Sequence, residues 1–430
     1  MNSSTTNLVD QASPRWQDQP IALGVTGLPC RASVSAWGDV TAYLDSGATP
    51  TLKWHVAADD RWHVPSDEAA VRQHRIDGTP VVETRLRIPD GDAVQRVWSV
   101  ADHGGLTIIE VENESPLPFA VAFSGLEVLT ERPVADVPVQ GIDLPADAIV
   151  LPVGHHASIR VAIAHGPAPS PSGQLQPVAG ALAVARGWLT VAHGASRLVL
   201  PDSGLVDSVV SARCDLLLNG PVNPEADTVG FLFDVAELGR LGDNADAWMP
   251  EIVEPVARIA RTDTPETDAA LRACERLAVL ADDDRAAGDI KRLLRRRQRD
   301  FERKGATKGA QLSSFSEVRR GASAGRFVVE VERLLATGSE LLPVGIPRSW
   351  LGANFEVHGI PTGDRSTVSY AVRWHGDRPA VLWEQHGGSR LLKAPAVDPD
   401  WSSAESSGEA LWAAPPRPKT IAVSADPDER

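Results

Sequence analysis

Four carboxylates in the C-terminal region, Glu340, Glu356, Glu384 and Asp400, stand near tryptophans in the sequence. Two carboxyl groups held on either side of a glycosidic bond, one with a raised pKa, are what sugar hydrolysis requires. Nothing in the spacing pairs any two of the four, and a solvated turn is the commoner place for each. Glu356 and Glu384 are the candidate catalytic residues. Arg373, His375 and Glu384 fall around one predicted hairpin turn beside Trp374 and Trp383. With Trp350, the residues Arg373, Trp374, His375 and Trp383 form the candidate ligand-binding set. The chain has 12 Trp against 8 Phe and 2 Tyr. An indole offers a broad apolar face and one N–H donor, so it serves as a core anchor or as a sugar-stacking platform.

Other chemistries lack their residues. There is no Gly-rich phosphate loop, no Gly-x-Ser-x-Gly elbow and no His-Glu-x-x-His, which argues against nucleotide binding, serine hydrolysis and zinc proteolysis. Cys30, Cys214 and Cys274 lie far apart with no Cys-x-x-Cys pair, against a thiolate metal site or a disulfide framework. Trp54-His55 and Trp62-His63 bracket Asp59-Asp60, and His155-His156 is an adjacent pair whose side chains would part in an extended strand. A strand end beside a solvated turn accounts for the first group, so no metal and no cofactor are expected. Residues 291–308 carry nine basic side chains, among them Lys291, Arg292, Arg295, Arg296, Arg297, Arg299, Arg303, Lys304 and Lys308, against two acidic ones. On a helix they are expected to spread round much of the circumference and to pair within the protein.

The chain of 430 residues holds 42 basic and 57 acidic residues, a net charge of −15. That balance opposes a protein that coats nucleic acid or anionic lipid with its whole surface. Apolar residues make up 43% and charged residues 23%, the usage of a globular chain with a real core. No apolar run reaches the length of a membrane span, and the N-terminus lacks a basic-then-apolar leader, so a cytoplasmic location is expected.

The elements that must position these residues follow from periodicity. Residues 81–88 and 93–98 alternate around Pro89-Asp90-Gly91-Asp92, which reads as a hairpin. Strands are expected at 106–111, 119–129, 158–164, 187–192 and 206–217, a spacing that suggests an antiparallel β-sandwich. The period then changes. Thr264-Pro265 reads as a helix start, followed by the stripe Leu271, Cys274, Leu277 and Leu280. Further helices are expected over 283–301 and 314–337. Beyond 341 alternation returns, in 367–374 and 380–384. The expected fold is mostly β with a short helical middle. An N-terminal β-sandwich spans 21–235, three or four helices occupy 236–340, and a small C-terminal β unit spans 341–414. Residues 1–20 and 415–430 are polar and are expected to lack structure.

The C-terminal block reads Leu341-Leu342-Pro343-Val344-Gly345-Ile346-Pro347-Arg348-Ser349-Trp350 directly after a helical stripe, and continues through Val357-His358-Gly359-Ile360-Pro361 to Trp374, Trp383 and Trp401. It resembles the C-terminal β domain of bacterial six-hairpin glycosidases, the glucoamylase-like and amylo-glucosidase-like enzymes. The hairpin ending in Val97-Trp98 and the Glu112-Asn113-Glu114-Ser115 turn look like the supersandwich that precedes their barrels. The resemblance implies a carbohydrate-associated function. Twelve barrel helices would need well over about 200 residues, however, and the middle region has about half that. Neither of the family's catalytic carboxylates maps onto a residue here. The expectation is therefore a non-catalytic sugar-binding or assembly protein. The alternatives are a working glycoside hydrolase with an unrecognised carboxylate pair, and a scaffold whose basic helix meets a protein or RNA. The expected partners are a glycan and a second protein chain, with no nucleic acid and no membrane.

Overall fold

A computed structural model describes residues 19–415 except 45, 60, 133, 135–147, 167–173, 263 and 304–313. The two predicted unstructured ends fall outside these residues, save 19, 20 and 415, as do Asp60, Lys304 and Lys308. Strand and helix account for 33% and 32% of the described residues, in four sheets and seven helices. The chain divides into two compact units. One runs to His193 and adds Asp207–Pro221; the other takes Gly194–Val206 and the chain from Val222 onward.

The first unit contains strands β1 (Ile21–Gly24), β2 (Arg31–Val34), β3 (Val40–Tyr43), β4 (Thr51–Ala58), β5 (Arg61–His63), β6 (Val71–Arg75), β7 (Val82–Ile88), β8 (Gly91–Val100), β9 (Leu106–Asn113), β10 (Phe119–Ser124), β11 (Leu129–Thr130), β12 (Ile149–Val153) and β13 (Ser158–Ala164). One antiparallel sheet has the order β1-β2-β3-β4-β10-β12, with β5 paired to β4; the other runs β11-β13-β9-β8-β7-β6. Alternation places Leu23, Trp54, Val56, Val121 and Phe123 from the first sheet against Leu86, Val97, Ile109, Val111 and Val161 from the second, in one buried core. The predicted hairpin is present, with Ile88 opposite Gly91 and Asp90 in the left-handed region at φ 59°. On the outward face of the second sheet, Glu83, Arg85, Arg96, Glu110, Glu112 and Arg160 interlock. Arg96 reaches Glu83 at 2.8 Å and Glu112 at 2.6 Å, and Arg160 reaches Glu110 at 2.6 Å.

Two of the expected strands are helices. Residues 187–192 belong to α1 (Ala181–Ala192), and 206–217 belong to α2 (Ser203–Asn219), whose residues from Asp207 on are part of the first unit. The valines of both segments favour strand locally, but packing decides. In α1, Ala181, Ala185 and Ala192 share one buried face, and the indole N–H of Trp98 donates to the carbonyl of Ala179 at 2.9 Å just before it. In α2, Val209, Val210, Ala212, Cys214, Leu216 and Leu218 are buried, a pattern too apolar all round to show helical period. His155 and His156 precede β13. They lie in a turn, with ring centroids 3.8 Å apart and planes tilted by 44°.

The second unit opens with β14 (Arg197–Val199). It continues through helices α3 (Thr228–Arg240), α4 (Ala245–Ile259), α5 (Pro265–Leu280), α6 (Asp284–Arg303) and α7 (Ala324–Leu335). Sequence periodicity misses the first two for physical reasons. Every residue of α3 from Gly230 to Gly239 is buried, so it has no polar stripe, and α4 carries Pro250 and Pro255. The α5 start matches its sequence signal: Thr264 and Thr267 cap one another's backbone N–H groups. Strands β15 (Ala336–Thr337), β16 (Glu340–Leu341), β17 (Phe355–Pro361), β18 (Thr367–His375), β19 (Arg378–His386), β20 (Leu392–Ala394), β21 (Asp398–Ser403) and β22 (Ser407–Leu411) follow. They form a five-stranded sheet, β14-β17-β18-β19-β22, and a four-stranded one, β15-β16-β20-β21, antiparallel except between β16 and β20. Among the described residues no helix is long and apolar enough to cross a membrane.

Candidate functional site

The five-stranded sheet settles the position of each candidate residue by parity. On β18, Val368, Tyr370 and Val372 point inward, and the register places Tyr370 opposite both Val357 and Trp383. Trp383 is 7% exposed and meets Trp401 edge-on at 5.3 Å; Trp401 in turn meets the fully buried Trp412 at 5.4 Å. The backbone opposite Trp383 is Gly408, where a Cβ would lie 2.6 Å from the indole. Trp350 is 2% exposed, between Phe315 at 4.9 Å and Phe355 at 5.4 Å. The Tyr370 hydroxyl donates to the carbonyl of Leu335 at the end of α7, and burial pushes its pKa up. Trp350 and Trp383 are therefore core indoles. Trp374 is half-buried, its N–H donating to the carbonyl of Ala353 at 2.9 Å.

The opposite parity faces solvent. Across the strands one row runs Val199, Glu356, Ala371, Leu382 and Glu409; the next carries Ser369, Glu384 and Ser407, and on the other side stand Arg373, the buried Ala380 and the exposed Leu411. Arg373 clamps one oxygen of Glu356, and His358 meets the other at 3.0 Å. The Arg373 guanidinium, and then His358, hold the Glu356 carboxyl below the usual carboxylate range. Glu356 is an ionised acceptor at neutral pH, the wrong state for a general acid. His375 is exposed at the strand end, and Glu384 is exposed beside His386 at 3.6 Å.

The sheet also fixes the separation of the two candidate carboxylates. Glu356 opposes Ala371, Glu384 opposes Ser369, and β18 lies between them. Two strand spacings and a two-residue offset put their Cα atoms about 12 Å apart, and the Glu356 carboxyl is engaged by Arg373 and His358 while Glu384 stands beside His386. Sequence reasoning missed His358 and Ser369 as members of this face. The alternation Glu356-Val357-His358 was the signal available for His358.

Two other polar groupings serve structure. Arg240 bonds Glu237 at 2.6 Å, Glu332 at 2.8 Å and the carbonyl of Ala195 at 3.1 Å, tying α3 to α7. Near the Trp-His dipeptides, His63 bonds Glu68 at 2.9 Å. Among the described residues no three His, Cys, Asp or Glu side chains converge as a metal site would need. The chain matches no protein-family model and no curated protein sequence.

Proposed function

We propose that the protein is a carbohydrate-associated, glycosidase-like chain that binds a glycan without cleaving it, through the outward face of the five-stranded sheet. The observation that carries this reading is the Arg373–Glu356–His358 cluster on an exposed sheet face. A carboxylate fixed in its ionised form, flanked by a guanidinium and an imidazole, supplies acceptors and donors suited to hydroxyl groups. Leu382 and Leu411, 41% and 47% exposed, add apolar surface for the ring faces of a sugar. The resemblance of the C-terminal block to six-hairpin glycosidases supplies the ligand class. The ionised state in which Arg373 and His358 hold Glu356 speaks against its acting as a general acid on this face, and the helices α3–α7 fall short of the twelve a barrel requires.

The test is a glycan array probed with the whole protein and with Arg373→Gln. Binding of a neutral glycan class by the parent, lost in a variant that keeps the parent's circular dichroism and a cooperative melting transition, supports the reading. No glycan retained by the parent, or equal binding by both proteins, overturns it.

A further inference from the structure

Helix α6 carries a feature that sugar binding does not use. Taking 100° per residue, its buried residues Ala287, Ile290, Leu294 and Arg297 cluster on one side. Arg285, Arg292, Arg295, Arg296, Arg299 and Arg303 are all exposed and fall within an arc of about 100° on the other. The basic residues still spread round much of the circumference, as expected, because two of them leave this arc. Those that do turn away are Lys291 and Arg297. Lys291 pairs with Asp364 at 2.7 Å, and the buried Arg297 bonds Asp268 at 2.6 Å and Thr267 at 2.8 Å. What remains outside is an arginine face about 27 Å long, from the 18 rises of 1.5 Å between Arg285 and Arg303. Asp289 pairs with Arg292 and Asp300 with Arg303. Among the described residues Arg295, Arg296 and Arg299 have no carboxylate partner.

From this geometry we infer that the outward face of α6 docks the phosphate backbone of a nucleic-acid duplex, without reading its sequence. The choice of partner follows from energetics. The face is convex and presents no apolar or aromatic anchor, so little burial energy is available to hold a folded protein. Exposed Arg–carboxylate pairs contribute about 0–1 kcal/mol each, too little for a lone acidic peptide. A duplex carries one charge per about 1.7 Å of axis with condensed counterions, and their release drives binding by arginines alone. A single strand would want stacking aromatics, which this face lacks. Arginine's planar fork suits phosphate oxygens two at a time. The net charge of −15 does not forbid this, because at 0.1 M salt fields fade over about 10 Å and the local charge of the helix governs.

The experiment is fluorescence anisotropy of a labelled 20-base-pair duplex of arbitrary sequence with the full chain, from 50 to 200 mM NaCl. If about four arginines meet phosphates, the log–log salt slope is near −3.6, a loss of roughly a hundredfold over that range. R295Q/R296Q/R299Q should cut the slope by more than half, while Arg186→Gln, an exposed site on α1, should leave it unchanged. Circular dichroism checks helicity. Should the triple variant lose it, Arg296→Gln alone serves, lowering the slope by about one. No binding at 50 mM, or a slope indifferent to these substitutions, overturns the inference. Equal affinity for a polyglutamate of matched charge, or tighter binding of a single strand, also overturns it by assigning the face to another partner.

Discussion

Removing the Trp383 indole tests whether the C-terminal tryptophans are core or platform. The side chain is 7% exposed, sits between Tyr370 and Gly408 in the register, and begins an edge-on column with Trp401 and Trp412. Truncating a buried aromatic costs about 3–5 kcal/mol, which includes the roughly 0.5–1.5 kcal/mol of a lost edge-on pair. In a unit of this size each kcal/mol moves the melting temperature by about 2–4 °C. Trp383→Ala should therefore lower the unit's transition by roughly 10 °C in calorimetry. Gly408→Ala attacks the same contact from the other side. Its new Cβ would meet the indole at 2.6 Å, and overpacking of that kind costs about 1–3 kcal/mol. A Trp383→Ala protein that melts normally but loses glycan binding would make the indole a platform and refute the packing argument. Normal melting in both variants would refute the described contact itself.

Three further outcomes are expected. Arg240→Ala withdraws the cation that lies between the buried Glu237 and Glu332 and should cost about 3–5 kcal/mol in urea denaturation; a loss under about 1 kcal/mol would contradict the ionic tie. Burial pushes the thiols of Cys30 and Cys274 up, to about 11 and about 12, and Cys214 is buried too. Ellman's reagent should then label no cysteine of the native protein within minutes, and all three only on unfolding; immediate native labelling would contradict this. The depressed Glu356 pKa gives a signed pH dependence. Its stabilisation is fully present above the unfolded carboxyl value near about 4.3 and is lost as pH falls through the lower folded value. The stability gap between the parent and Arg373→Gln should therefore shrink on acidification below about pH 4, and a gap that widens would contradict the pairing.

Much of the fold is legible in the sequence where one face of an element meets water. Strands β7 and β18 alternate and both hairpins carry turn residues, and α5 announces its start with Thr264-Pro265. Legibility fails where an element is buried all round. The ten consecutive buried residues of α3 hide its period, and the valines of α2 read as strand until packing overrides them. The site divides in the same way. Alternation predicts that Arg373 and Trp374 face opposite sides, and they do. It cannot say that Glu356 lies diagonal to Arg373, because cross-strand register is set by β17 and β18 together. For α6, the helical wheel was available from the sequence, but which arginines the neighbouring elements draw in was not. Arg297 turns inward because Asp268 and Thr267 wait for it on α5.

The central claim is a glycan-binding face without a hydrolytic pair, and reducing-sugar release tests it most directly. The purified chain, incubated with maltose, trehalose and glycogen, should release nothing above the buffer control, with Glu356→Gln and Glu384→Gln indistinguishable from the parent. Release by the parent that disappears in either single variant would show a working carboxylate on this sheet and contradict the account.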